Sequence, residues 1–181
     1  MELMRLVITG PVASGKSTFI RSVSEIDVVD TDEKATDETQ ELKARTTVAM
    51  DFGKLRFSPE FAIHLYGTPG QERFDFMWDL LIRKAHAYIL LVAANQPKEF
   101  RSARRILSFM NQRVKIPMMV AVTHTDCANA WQTENIAIAL GFPEPQRRPP
   151  FALVNPPQTQ SVAQTLLTLT EQLYTPVTTK V

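Results

Sequence analysis

GPVASGKST, residues 10–18, governs the reading of everything around it. Gly10 is followed by four residues and then by Gly15, Lys16 and Ser17, with Thr18 next. Glycines at these two places let the backbone curl closely, where a side chain would clash or demand an unfavourable φ. The amides through Ala13, Ser14 and Gly15, continued by a helix N-terminus, offer donors and positive potential to an anion. A lysine here reaches the β- and γ-phosphates of a nucleotide, and the serine hydroxyl is a ligand for magnesium. The context suits this chemistry, because the apolar run LMRLVI (3–8) precedes the loop and helical spacing (16–24) follows it.

Outward from the loop, four more short apolar runs mark strands: FAIHLY (61–66), AYILLVAA (87–94), PMMVAV (117–122) and FALV (151–154). Helical spacing fills 74–85, 99–114, 133–140 and 161–174 between and after them. Such alternation predicts an α/β fold, a mostly parallel sheet with helices on both faces, and the phosphate loop after its first strand makes that a P-loop NTPase fold. One place breaks the rhythm. TTVAMDFGKLRF (46–57) reads as a strand, SPE (58–60) turns, and FAIHLY follows at once. Strands joined so tightly pair antiparallel, so the sheet is expected to be mixed and six-stranded with one edge hairpin.

At 181 residues the chain has room for one domain, taken here as 1–181. A formal charge of +1 gives no global basic excess, so no nucleic-acid partner is indicated. A single cysteine, Cys127, fits a reducing compartment. The amino-terminal run is too short for a signal peptide, and no apolar stretch is long enough to span a membrane. Position 2 is not glycine and the terminal TTKV has no prenylation cysteine, so no lipid anchor is expected. A cytoplasmic location follows from these readings. Residues 25–41 are acidic and 98–115 basic; each reads first as a solvated face and second as a surface for steering a partner.

With the hairpin and GTPGQERF (67–74) added, the chain resembles a Ras-superfamily small GTPase. TVAMDFG (47–53) and GQERF (70–74) are similar to Rab- and Arf-like members. A missing aspartate at Gly67, with Pro69 before the glycine, brings the likeness closest to the bacterial MglA-like branch. The resemblance implies that Thr47 senses the γ-phosphate and magnesium, with Thr46 one step out of register. It implies that the Gly70 amide meets the γ-phosphate and that Gln71 orients the attacking water. Lys16, Thr47 and Gln71 are then the catalytic set, and Ser17 and Thr47 the metal ligands. An aspartate at position 67 would hold the metal through water, which glycine cannot do. Weakened magnesium affinity with retained nucleotide binding is the expectation. Arg45, Arg56 and Arg73 lie in or beside the switch segments and read first as surface or structural arginines.

VAVTHTD (120–126) stands where the family shows Asn-Lys-x-Asp. Asp126 keeps the carboxylate that accepts from guanine N1–H and the 2-amino group. Adenine lacks that donor pair, so Asp126 favours guanine by roughly 1–3 kcal/mol per satisfied pair. Thr123 replaces the asparagine and His124 the lysine, with stacking on the base open to the imidazole. Asn155 and Pro156 replace the last base-contacting segment.

These readings predict a switch that binds GTP and GDP with Mg2+ and hydrolyses GTP slowly. It would signal through segments near 42–57 and 67–78, where Phe74, Phe76 and Trp78 offer apolar anchors to a partner. The resemblance implies a protein effector or activator, of Roadblock/LC7 type, and a bacterial cytoplasm. Two alternatives stand beside it: a nucleotide-binding scaffold with little or no hydrolysis, and an ATP-binding P-loop protein.

Overall fold

The computed structural model describes residues 2–30 and 50–174. An interior strand, β5 (Ala87–Ala93), is buried at all seven positions. A strand covered on both faces has no polar side to alternate with, and AYILLVA has none. β1 (Glu2–Thr9) and β6 (Met118–Thr123) flank it in parallel, and β7 (Phe151–Leu153) extends the sheet beyond β6. On the other side β4 (Phe61–Gly67) pairs parallel to β1, and β3 (Asp51–Ser58) pairs antiparallel to β4. With the short edge strand β2 (Val29–Asp30), the order is β2-β3-β4-β1-β5-β6-β7.

The mixed sheet of six principal strands is therefore as the sequence predicts, with one addition. A two-residue strand, β2 (Val29–Asp30), pairs antiparallel to the start of β3 and takes the edge position. The rest of the outer edge of β3 is occupied by the segment after the first helix. The Glu25 amide donates to the Lys54 carbonyl at 2.7 Å, and the Arg56 amide donates to the Glu25 carboxylate at 3.0 Å. This blunts an edge that would otherwise template pairing with another chain. The expected start of β3 at residue 46 lies outside the described residues. In the hairpin turn Ser58 Oγ accepts the amides of Glu60 and Phe61 at 3.2 and 3.1 Å, satisfying donors that the turn would leave free.

Helices α1 (Lys16–Val23) and α5 (Thr159–Tyr174) cover one face, where Phe19, Ile20, Val162 and Leu166 meet Leu6, Ile8, Ile63 and Leu65. Helices α2 (Asp75–Ile82), α3 (Phe100–Arg113) and α4 (Thr133–Leu140) cover the other. In α3 the buried residues are Phe100, Ala103, Ile106, Leu107 and Met110, a three-and-four spacing that makes one apolar stripe. Each buried Ile, Leu, Phe or Met on that stripe contributes about 1.5–3 kcal/mol. The basic residues fall on its other side: Arg101, Arg104 and Arg105 are exposed. Among the described residues no helix is long and apolar enough to cross a membrane.

This order fixes where a ligand goes. From β1 the chain turns through α1 toward the β3–β4 side, whereas from β5 it turns through α3 toward β6 and β7. The connections part company between β1 and β5, and a crevice opens outside the carboxyl ends of strands at such a switch point. Residues 10–15 lie there.

Candidate nucleotide site

Strand β1 ends at Thr9 and α1 begins at Lys16, so the whole loop is held between a buried strand and a helix N-terminus. Three of its residues have positive φ: Gly10 at 147°, Ala13 at 61° and Gly15 at 99°. At Gly10 space is as limiting as conformation, since an added Cβ would lie 2.3 Å from the Leu91 carbonyl oxygen. Gly10→Ala is expected to lower stability by about 2–4 kcal/mol through backbone strain and overpacking. A thermal melt of the nucleotide-free protein reads that drop.

Lys16 is folded into this loop and is only 9% exposed. Its ammonium donates to the carbonyls of Gly10 at 2.8 Å and Pro11 at 2.6 Å, and reaches Ser14 Oγ at 3.4 Å. Burial pulls its pKa down to about 8, with the Asp51 carboxylate pushing the other way. The same carboxylate accepts a hydrogen bond from Ser17 Oγ at 2.5 Å. Asp51 opens β3 and faces Gly67 across the antiparallel pair.

The segment 67–74 is tied to the end of β1 and to the phosphate loop. The Thr68 amide donates to the Ile8 carbonyl at 2.9 Å and its hydroxyl to Thr9 Oγ1 at 2.8 Å. Gly70 lies so close to the loop that a Cβ there would meet the Val12 nitrogen at 2.6 Å and the Pro11 carbonyl carbon at 2.8 Å. Only glycine leaves the backbones room to approach. The Trp78 indole N–H donates to the Pro69 carbonyl at 2.7 Å from a position 2% exposed. Trp78 is thus a buried strut for residues 67–74, and Phe76, 52% exposed, is the aromatic that stays at the surface. Glu72 is bridged to Arg105 of α3 at 2.8 Å. Gln71 is exposed. Arg73 lies over the Phe74 ring, 4.6 Å from its centre. Arg56 is exposed, while Thr46, Thr47 and Arg45 lie outside the described residues.

A second cleft, about 220 Å³, is lined by Gly15, Thr18, His124, Asp126, Asn155, Pro156 and Pro157. It joins the loop to the segment after β6. Asp126 is exposed on its wall. Thr123 does something other than present a side chain to the base. Fully buried, it donates from Oγ1 to the Ser14 carbonyl at 2.9 Å, pinning the phosphate loop to β6. His124 Nδ1 lies 2.8 Å from Thr123 Oγ1. Because the threonine proton is spent on Ser14, a neutral imidazole donates from Nδ1 and keeps Nε2 as acceptor. The Asn155 amide donates to Ser161 Oγ at 2.9 Å, at the start of α5. Pro156 is buried against Gly15, 3.0 Å from where a Cβ would stand.

The structure thus gathers Gly10, Ala13, Ser14, Gly15, Lys16, Ser17, Thr18, Gly70, Thr123, His124, Asp126 and Asn155 at one end of the sheet. Sequence reading missed Asp51, the Trp78–Pro69 bond and the Thr123–Ser14 tether. The register of the β3–β4 hairpin was the signal available for the first. The magnesium ligand set expected for such a fold can be tested against these residues. Ser17 and Asp51 are oxygen donors in contact, beside phosphate-binding amides and a lysine, which fits a hard divalent cation.

Known proteins share this fold or parts of this sequence. The Arl6 BBS3 small GTPase from Trypanosoma brucei, solved with the bound nucleotide analogue GppNp, superposes with a TM-score of 0.70. That match covers 94% of this chain and 97% of the other at 16% identity, a likeness of fold. The protein MJ1339 of Methanocaldococcus jannaschii is 29% identical over 125 residues, which span 68% of this chain and 71% of that one. The model of a family described as conserved hypothetical ATP-binding proteins matches residues 26–178, beginning after the phosphate loop. With a nucleotide-binding P-loop fold and a family match over most of its length, the chain belongs to this family of conserved hypothetical ATP-binding proteins.

Proposed function

We propose that the chain is a guanine-nucleotide switch that binds GTP and GDP with magnesium and hydrolyses GTP slowly. The observation that carries this reading is the packing of Gly70 onto the Pro11–Val12 peptide. A glycine so close to the phosphate loop offers its amide where a terminal phosphate would lie. Its position then depends on whether that phosphate is present. Pro69 stiffens the approach, and Trp78 holds its carbonyl.

In this reading the loop amides and Lys16 bind and orient the phosphates, and Ser17 and Thr47 hold the metal. Gln71 orients water beside the γ-phosphate. Magnesium, when bound, would neutralise charge on the β- and γ-oxygens. Little covalent chemistry is asked of the protein, so positioning supplies most of the rate. Single-turnover hydrolysis of GTP tests the assignment. Gln71→Ala is expected to slow the step by up to about 100-fold, the cost of a misplaced nucleophile. An unchanged rate would remove Gln71 from the mechanism.

Asp126 selects the base, with His124 as its neighbour in the cleft. Asp126→Ala is expected to weaken GDP by about 10- to 100-fold and leave ADP unchanged, as measured by competition binding. A partner would read the two switch segments, with exposed Phe76 as one contact. The departures at Gly67 and Pro69 support the MglA-like branch, a Roadblock/LC7-type activator and a bacterial cytoplasm.

A second reading, an ATP-binding scaffold with little turnover, draws on different observations. The family is described as ATP-binding. Thr123 Oγ1 and the Asn155 amide, which stand at expected base-contact positions, are spent on Ser14 and Ser161.

A further inference from the structure

We propose that Asp51 supplies the magnesium-holding carboxylate absent from position 67, delivered from the neighbouring strand. The inference rests on the nucleotide-switch reading above and adds the residue that completes its metal site.

Asp51 and Gly67 face each other in the β3–β4 pair, with their side-chain directions toward α1. A Cβ built on Gly67 would stand 3.1 Å from the Asp51 Cβ and 3.2 Å from its Oδ2. The carboxylate therefore occupies the volume that a side chain at 67 would enter. It reaches there from β3 because the hairpin brings directly opposed residues within contact distance. Two carboxylates would not fit side by side without crowding and repulsion. Gly67 thus reads as the vacated half of an exchange between strands, and its small size makes room for Asp51.

The hydrogen bond from Ser17 points the same way. A serine hydroxyl that gives a lone pair to a cation must send its proton elsewhere. Asp51 Oδ2 takes that proton at 2.5 Å, a short charge-assisted contact, and so fixes the hydroxyl orientation. Outer partners of this kind hold metal ligands in place, and their loss costs about 10- to 100-fold in metal affinity. Magnesium keeps several waters and takes few protein ligands, so one carboxylate acting through water suffices. The expectation of a weakened metal shell considered position 67 alone, whereas position 51 serves the same space.

The sign of the effect separates this role from a structural one. A carboxylate beside a polyphosphate repels it unless a cation stands between them. Asp51→Asn keeps the shape and an acceptor for Ser17 but removes the charge. Binding of fluorescent methylanthraniloyl-GDP is followed while Mg2+ is titrated, and again in excess EDTA. Asp51→Asn is expected to raise the magnesium midpoint by about 10- to 100-fold while affinity in EDTA holds or improves. The exchange variant, Asp51→Gly with Gly67→Asp, is expected to bring the midpoint back toward wild type. An unchanged midpoint in Asp51→Asn, or equal loss with and without magnesium, would overturn the inference alone. A folded exchange variant with no recovery would overturn it equally. No binding of the fluorescent nucleotide by the wild type under either condition would remove the switch reading as well.

Discussion

Lys16→Ala is expected to lower nucleotide affinity by at least ~100-fold, the loss of two charge-assisted contacts to phosphate at about 1.5–3 kcal/mol each. The same substitution is expected not to lower the melting temperature of the nucleotide-free protein. Lys16 there is buried among the Gly10 and Pro11 carbonyls, and burial has already pulled its pKa to about 8. Holding an ammonium in that place costs free energy, which phosphate oxygens offset when they arrive. Removing the side chain relieves that cost, which offsets the loss of its hydrogen bonds to the Gly10 and Pro11 carbonyls. Isothermal titration with GDP and a melt of the free protein separate the two effects. Equal affinity in wild type and variant would contradict the phosphate-loop assignment. A large fall in melting temperature would show that the lysine is mainly a strut.

Trp78→Ala carries the largest expected effect on stability, about 3–5 kcal/mol for truncating a buried aromatic. The ring is 2% exposed and packs edge-on against Phe109 of α3 at 5.3 Å between centres. Its N–H also holds the Pro69 carbonyl, one residue before Gly70. Trp78→Phe keeps most of the packing and loses only that bond, at a cost of about 1–3 kcal/mol for a carbonyl left unpaired. Chemical denaturation orders the three proteins as wild type, phenylalanine, alanine. A phenylalanine variant as stable as wild type would mean that the Pro69 carbonyl finds another donor.

Much of this was legible before any coordinates. The phosphate loop was readable because its chemistry demands glycines at fixed places, and Gly10 and Gly15 take the positive φ that such a loop needs. The hairpin was readable from a turn too short for a crossover, and helix α3 from its apolar spacing. Asp51 was not seen, because a motif is read along one strand while the proposed metal site draws on two. Register decides what faces position 67, and an irregularity between Arg56 and Ser58 sits between the turn and that pair. A one-residue slip there would send Asp51 to the opposite face of the sheet. The sequence offers Trp78 as a partner anchor, and a buried packing role is equally open to an aromatic at that spacing. Only the packing of α2 against α3 decides between them, with the ring inside and Phe76 outside. Thr123 was read as a substitute base contact, but its short side chain reaches Ser14 of the phosphate loop instead.

Whether this P-loop end of the sheet reads a guanine nucleotide, as proposed, is decided most directly by one equilibrium measurement. Wild-type, nucleotide-free protein is titrated with fluorescent GDP and ADP in magnesium. The Asp126 carboxylate and its cleft predict that GDP binds more tightly than ADP, by at least about tenfold. ADP binding as tightly as GDP, or more so, would contradict the claim and favour the ATP-binding scaffold.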